Sequence, residues 1–280
     1  LTGSTNNQVV TVTGANAITG ETNLTYNGTI LGVGASADLG VGLHVKTADS
    51  GASVDSNGDE LVIENSGNTG MTILSGTGSS GGIYFGDSGN NNIGYIEYGH
   101  NTNQLSIATG GTANSLVIDS TGAVTKPLQP TFIVKAVSQL NVTGNGTSYN
   151  VIFASEIKDV GNNFSGTTFT APITGSYILT CHVDFNGGNN NVTDTYLHFE
   201  SSNRDFPVYT IKGGAGGGSG TQAGILYGTG DEQGMGLSGS CIADMDANDT
   251  VYLRLTVNGA GSDQCDIVAN NTMFSGTLIC

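Results

Sequence analysis

Asp244-Met245-Asp246-Ala247-Asn248-Asp249 is the segment whose side chains are best spaced for chemistry. A Ca²⁺ ion takes roughly six to eight oxygen ligands, and alternate positions of a tight loop can aim several at one point. Asp244, Asp246 and Asp249 are therefore candidate metal ligands, and Ca²⁺ is the one cofactor the sequence offers. The Gly and closing Glu of a helix–loop–helix calcium site are missing. The same residues also read as an acidic turn ahead of a strand over Thr250–Val257.

A second segment, Asn203-Arg204-Asp205-Phe206-Pro207-Val208-Tyr209, joins an arginine to aromatic residues and a proline. Arginine and aromatic side chains dominate the energetic centres of protein interfaces. Asn203, Arg204, Phe206 and Tyr209 are the candidate receptor contacts, set against the plainer reading of an inter-strand loop. Other constellations are weaker. Gly213–Gly220 lacks the Lys-Ser/Thr of a phosphate loop. His44, His100, His182 and His198 are scattered, and no Gly-x-Ser-x-Gly occurs. Adjacent acids such as Asp231/Glu232 could serve glycoside hydrolysis, but in a glycine loop they read as solvated. No catalytic residue is assigned, and the chain is not read as an enzyme.

These segments must be carried by strands. Of 280 residues 45 are Gly, 4 are Pro and none is Trp, and polarity comes from Asn, Thr and Ser because only 11% are charged. Few windows escape Gly, Asn or a β-branched residue, which disfavours long helices. The glycines lack the three-residue period of collagen. The net charge is −16, with 10 acids and 2 bases over residues 1–129 and 13 acids and 5 bases over 130–280, so −8 in each half. No basic stripe exists for nucleic acid, and no apolar run is long enough for membrane insertion. The sequence starts at Leu1 without a signal peptide, which reads as a processed product or a piece of a longer polypeptide. All four cysteines, Cys181, Cys241, Cys265 and Cys280, lie in the second half without metal-site spacing, and buried free thiols are the expectation.

The first half reads as short strands: Val9–Thr13, Leu61–Glu64, Met71–Leu74, Ile83–Phe85, Ile93–Tyr98, Leu105–Ala108, Leu116–Asp119 and Ala123–Thr125. They recur at roughly ten-residue intervals from residue 60, the pattern of an all-β meander or solenoid. Each is too thin to bury a core alone. A core becomes possible if three copies wind about an axis or each rung stacks on the next. Thr125-Lys126-Pro127-Leu128-Gln129-Pro130 reads as a linker. The organisation is therefore a β-rich segment over 1–126, a Pro linker over 127–130 and a second domain over 131–280, which the resemblances below imply to be a fibre shaft and its tip.

In the second half, alternation predicts strands over Thr131–Val137, Asn150–Phe153, Thr167–Thr170, Gly175–Asp184, Tyr196–Ser201, Val208–Lys212, Gly224–Tyr227, Leu237–Asp244, Thr250–Val257 and Met273–Ile279. Ten strands suit a two-sheet Greek-key sandwich. Tyr177, Leu179, Cys181, Val183 and Phe185 share the face that enters the core. Ile178, Thr180, His182 and Asp184 form a more polar face suited to a subunit interface.

Two resemblances follow. Gly67–Ile73, Gly82-Ile83-Tyr84-Phe85-Gly86-Asp87, Gly94-Tyr95-Ile96-Glu97-Tyr98-Gly99-His100, Leu105–Ile107 and Ile118–Val124 resemble the shaft of bacteriophage tail fibres. That resemblance implies a slender trimeric shaft, with His100 stacked about its axis. Gly161-Asn162-Asn163-Phe164, Phe169-Thr170-Ala171-Pro172-Ile173-Thr174-Gly175-Ser176-Tyr177 and Phe274-Ser275-Gly276-Thr277-Leu278-Ile279 resemble the globular head of the complement first subcomponent and its tumour-necrosis-factor-like relatives. It implies a trimeric jelly roll, with Gly161, Asn162, Phe164, Phe169, Ala171, Pro172, Gly175, Tyr177, Phe274, Gly276 and Leu278 as fold determinants and Gly175 in a turn. It also places the strands of Cys181 and Cys280 side by side, making that pair the first disulfide to test. Together the resemblances imply an extracellular virion fibre, a homotrimer joined to an upstream virion anchor, whose tip binds a host cell-surface glycan or protein. The alternatives are a bacterial surface filament or spore-coat adhesin and a polysaccharide-degrading tailspike.

Overall fold

The computed structural model of the chain describes residues 8–15, 17–34, 40–111, 114–188, 192–212 and 233–279. It is all-β, without a helix among the described residues. Contacts divide it into two compact units, Leu1–Ser75 and Gly76–Cys280.

The first unit holds β1 (Gln8–Gly14), β2 (Ala17–Tyr26), β3 (Leu31–Gly34), β4 (Leu43–Lys46) and β5 (Leu61–Glu64), side by side in that order. The first three are antiparallel, whereas β3, β4 and β5 stack in parallel and in register. Leu31, Leu43 and Leu61 form one column and Val33, Val45 and Ile63 the next. Both columns lie on one face, because side chains alternate across a strand. That aliphatic face is open: Leu31 is 39% exposed and Leu61 52%. The opposite face encloses His44, Lys46 and Glu64. Strands β3–β5 thus enclose three polar side chains and show their hydrocarbon.

The second unit opens with β6 (Ser80–Phe85), β7 (Gly94–Gly99), β8 (Gln104–Ala108), β9 (Leu116–Ile118) and β10 (Val124–Thr125), an antiparallel meander. It leaves Ile83, Phe85 and Ile96 exposed. An open, almost wholly apolar hollow of about 370 Å³ lies between Phe85, Ile93, Tyr95, Ile96 and Ile107. The expected strand over Met71–Leu74 is absent; those residues carry no regular structure. They are also exposed.

The remainder is β11 (Thr131–Ala136), β12 (Gln139–Thr143), β13 (Ser148–Asn150), β14 (Phe153–Asp159), β15 (Phe164–Ser165), β16 (Thr168–Thr170), β17 (Gly175–Gly188), β18 (Asp194–Ser201), β19 (Asp205–Lys212), β20 (Gln233–Met245), β21 (Thr250–Asn258), β22 (Cys265–Ile267) and β23 (Met273–Leu278). One sheet runs β12-β22-β17-β23-β11-β14, with β20 on the other edge of β17. The other runs β15-β16-β21-β18-β19, with β13 on β21. Neighbours far apart in sequence, such as β11 with β23, make this a Greek-key jelly roll. The strand expected over Asn150–Phe153 is broken at Val151 and Ile152, between β13 in one sheet and β14 in the other. The chain changes sheets there, so the apolar run is a crossing point. The expected strand Gly224–Tyr227 lies outside the described residues.

Between the sheets the aromatic rings stack. Phe132 lies 4.5 Å from Phe169, 4.8 Å from Phe274 and 5.2 Å from Phe164, centroid to centroid. Tyr177 is fully buried and donates its hydroxyl to the Ile173 carbonyl at 2.8 Å. Its neighbours by alternation, Leu179, Cys181, Val183 and Phe185, enter the same core. Gly276 is required by contact: a Cβ there would stand 2.6 Å from Phe132 Cε1 and 2.8 Å from Leu179 Cδ2. Gly161 and Asn162 turn the chain with φ of +92° and +55°. Gly175 does not serve a turn; it is the first residue of β17 and is not among the positive-φ glycines.

On the outer face of β17, Ile178 and Thr180 are exposed as expected, but Asp184 is buried. Asn271 Nδ2 donates to its carboxylate at 2.8 Å. The segment after β22 folds over this end of the strand, so the outward polar face ends at His182. The two strands expected to bring Cys181 to Cys280 do pair, but their register sets Cys181 opposite Phe274. Cys280 itself lies outside the described residues. Cys181, Cys241 and Cys265 are free thiols.

Candidate functional site

The fold joins the two segments singled out for chemistry, through residues 46 apart in sequence. Asn203 Nδ2 donates to Asp249 Oδ2 at 2.6 Å, and Ser202 Oγ donates to Asp249 Oδ1 at 2.7 Å. The reason is topological. β18 pairs with both β19 and β21. The β18–β19 turn and the turn entering β21 therefore emerge at the same end of one sheet.

Asp249 is occupied by the chain itself. Besides those two donors, the Asp246 amide donates to Oδ2 at 2.9 Å. The Ser202 hydroxyl and Asp246 amide, then the charge of Arg204 and the Asn203 amide, hold the Asp249 carboxyl below the usual carboxylate range. Asn248 sits in the left-handed region at φ +75°, closing a turn in which the Asp249 amide donates to the Asp246 carbonyl. The turn is tied to the segment before β17: the Asn248 amide donates to the Ala171 carbonyl, the Ala171 amide donates to the Asp249 carbonyl, and the Ala247 amide donates to Thr174 Oγ1. Asp244 and Asp246 are exposed. No group of three His, Cys, Asp or Glu side chains is arranged to hold a metal ion among the described residues.

The four receptor candidates separate. Asn203 and Arg204 are exposed at the tip of the turn. Phe206 packs against the core and is half-buried. Tyr209 is 37% exposed on the edge strand β19.

Beside them lies a cluster that single-segment reading did not identify. On the outer face of the same sheet, Arg254 forms an ion pair with Glu200 and reaches Asp205 Oδ2 at 3.5 Å. His198 Nδ1 is 2.9 Å from that Asp205 oxygen. Cross-strand register explains the grouping: His198 faces Arg254, while Glu200 faces Tyr252 on one side and Asp205 on the other. Burial, followed by the hydrogen bond and charge of Glu200, pushes the Tyr252 phenol up. Tyr196 meets His198 edge to face at 6.3 Å. His198 Nε2 is enclosed and makes no hydrogen bond, an atypical state for a buried polar atom. The signal was present as alternation, Tyr196-x-His198-x-Glu200 and Tyr252-x-Arg254 placing every polar residue on one face.

This face can bind by aromatic contact and by charge-assisted hydrogen bonds from Arg254. On the other sheet, His182 Nδ1 lies 2.7 Å from Ser238 Oγ. That pair stands on a flat strand surface with no carboxylate on the imidazole among the described residues, so it lacks the third member that orients a catalytic base. Asp231/Glu232 and Gly213–Gly220 lie outside the described residues.

No protein-family profile matches the chain, and no curated protein matches it. Among solved structures, the globular domain of zebrafish complement 1qA protein is similar at 16% identity and a TM-score of 0.35, over 54% of this chain and 98% of that one. Murine APRIL at pH 8.0 is similar at 10% identity and a TM-score of 0.36, over 54% of this chain and 99% of that one.

Proposed function

We propose that this protein is a structural and adhesive component of a virion fibre, a phage tail fibre whose trimeric C-terminal tip binds a host-cell surface receptor. The observation that carries the reading is the inverted burial of β3–β5. The aliphatic columns Leu31-Leu43-Leu61 and Val33-Val45-Ile63 stay open while His44, Lys46 and Glu64 are enclosed. A chain that folded as a monomer would gain by the reverse arrangement, at roughly 25 cal/mol per Å² of apolar surface removed from water. Copies of the chain meeting through these columns complete the missing core. The single-layer meander, with its apolar hollow between Phe85, Ile96 and Ile107, has the same need.

The tip supplies adhesion. Its exposed turn, Ser202 to Arg204 with Asp249, and the Arg254 cluster form one contiguous polar end and face of the β18–β19–β21 sheet. Three such sites per tip raise residence time by avidity, so each can be weak. The receptor is a surface glycan or protein. Labelled protein should adsorb to whole cells of some bacterial strains and not others. Replacing Arg204 and Tyr209 with alanine should weaken adsorption by about tenfold or more, as for loss of interface anchors. Equal adsorption to every strain by both proteins would sink the receptor assignment.

A further inference from the structure

The first unit has a problem that assembly alone does not solve. Among its described residues, the buried side chains other than Ile30 are His44, Lys46 and Glu64. Thin units without a core need a staple of another kind. These three polar groups are arranged in a way an ordinary ion pair does not require.

Lys46 and Glu64 are directly opposite on the parallel strands β4 and β5. Lys46 Nζ lies 3.4 Å from Glu64 Oε2, and the two side chains are 6% and 5% exposed. His44 Nε2 stands 2.9 Å from the same Oε2, and His44 is fully buried. The other oxygen, Oε1, receives the Ser50 amide and the Ser50 hydroxyl, each at 2.8 Å. One carboxyl group is therefore met by an amine and an imidazole at one oxygen and by two converging donors at the other. Two donors aimed at one oxygen form the arrangement that stabilises the oxyanion of a tetrahedral acyl intermediate. An imidazole on the second oxygen is placed for general acid catalysis.

We infer that Lys46 and Glu64 condense to an intramolecular isopeptide bond that covalently joins β4 to β5. The Lys46 ammonium gives up a proton by way of the Asp49 carboxylate, 3.9 Å away and 70% exposed. Its nitrogen lone pair attacks Glu64 Cδ, and the electron pair displaced from the C=O bond rests on Oε1 against the Ser50 donors. The proton lost through Asp49 is replaced on Oε2 from solvent. The nitrogen then gives its second proton to His44, which passes it to Oε2 at 2.9 Å as the C–Oε2 bond breaks and the electron pair on Oε1 re-forms the C=O bond. The two protons lost by nitrogen leave with Oε2 as one water, so ammonium and carboxylate become amide and water without an oxidant or another co-reactant.

Burial favours the product. The Ser50 donors and then the Lys46 charge hold the Glu64 carboxyl down to about 2, so the starting state is an ion pair. An enclosed ion pair carries a desolvation cost that a neutral amide escapes. The cross-link closes the loop between residues 46 and 64 and fixes the β4–β5 register that sets the aliphatic columns. It is independent of what the tip binds.

The test is the mass of the full 280-residue chain under denaturing conditions, followed by peptide mapping. The cross-linked chain is one water lighter than its sequence, is not cut by trypsin after Lys46, and keeps the peptides bearing Lys46 and Glu64 joined after cleavage at Asp49, Asp55 or Asp59. Lys46→Arg and Glu64→Ala each restore the full mass. A wild-type chain at full mass overturns the inference. So does a missing water with Lys46 still cleavable, or one that persists in both variants.

Discussion

Asn203 and Asp249 are joined by a 2.6 Å hydrogen bond from amide to carboxylate, linking the turn after β18 to the turn before β21. The Asp249 carboxylate is thereby a structural acceptor that holds the exposed turn at Ser202–Arg204 in shape. Asp249→Asn removes the charge that Arg204 and three donors address. The variant should melt at a lower temperature than the wild type, whereas Asp246→Asn, at an exposed position, should not. The effect should be pH-dependent with a definite sign. The carboxyl is depressed in the folded state, so its contribution is present above the unfolded value and is lost as pH falls through the lower folded value. The melting difference between Asp249→Asn and wild type should therefore shrink in acid. A constant difference across pH would remove the carboxylate from the account.

Gly276→Ala tests the core. The added methyl would stand 2.6 Å from Phe132 Cε1 and 2.8 Å from Leu179 Cδ2, inside a ring stack that is already closed. Overpacking of this kind costs about 1–3 kcal/mol. Urea denaturation should show a loss in that range, with the midpoint displaced and the slope unchanged.

The thiols should be inert in the folded protein. Burial pushes Cys181 up to about 12 and Cys241 and Cys265 up to about 11. Thiolate is the reactive form, so alkylation at neutral pH should spare all three until the chain is unfolded. Mass mapping of peptides after native and denatured alkylation checks this. Rapid native labelling of Cys181 would contradict its placement opposite Phe274.

Much of the tip was legible because strand alternation is a local signal. Tyr177, Leu179, Cys181, Val183 and Phe185 could be assigned to the core from period two alone, and the structure buries each of them. Asp184 could not, because its burial comes from Asn271 and Thr272, which close over it from far along the chain. The crossing at Val151–Ile152 was read as a strand because an apolar run looks the same whether it lies in one sheet or passes between two. The site was legible in pieces. Asn203, Arg204 and Asp249 stood out by composition, but their contact depends on β18 pairing with two strands at once. The Arg254 cluster depends on cross-strand register. In the first unit, β2, β3 and β4 escaped notice: Gly32 and Gly34 dilute the pattern of β3, and His44 and Lys46 of β4 alternate like a solvent face although the structure encloses them.

Ile63→Glu puts a charge into the open aliphatic column without touching the enclosed face. If copies meet there, the variant should lose association by about tenfold or more, since a charge buried at an interface without a partner costs several kcal/mol. The jelly roll should keep its unfolding midpoint. Sedimentation at several concentrations, compared with the exposed control Val124→Glu, checks this.

The most direct measurement is the solution mass of the intact chain by light scattering. The account predicts a particle of three times the 28.4 kDa chain mass, unchanged on dilution and reduced by Ile63→Glu. A well-folded monomer of wild-type protein, with the columns Leu31-Leu43-Leu61 and Val33-Val45-Ile63 open to water, would contradict it.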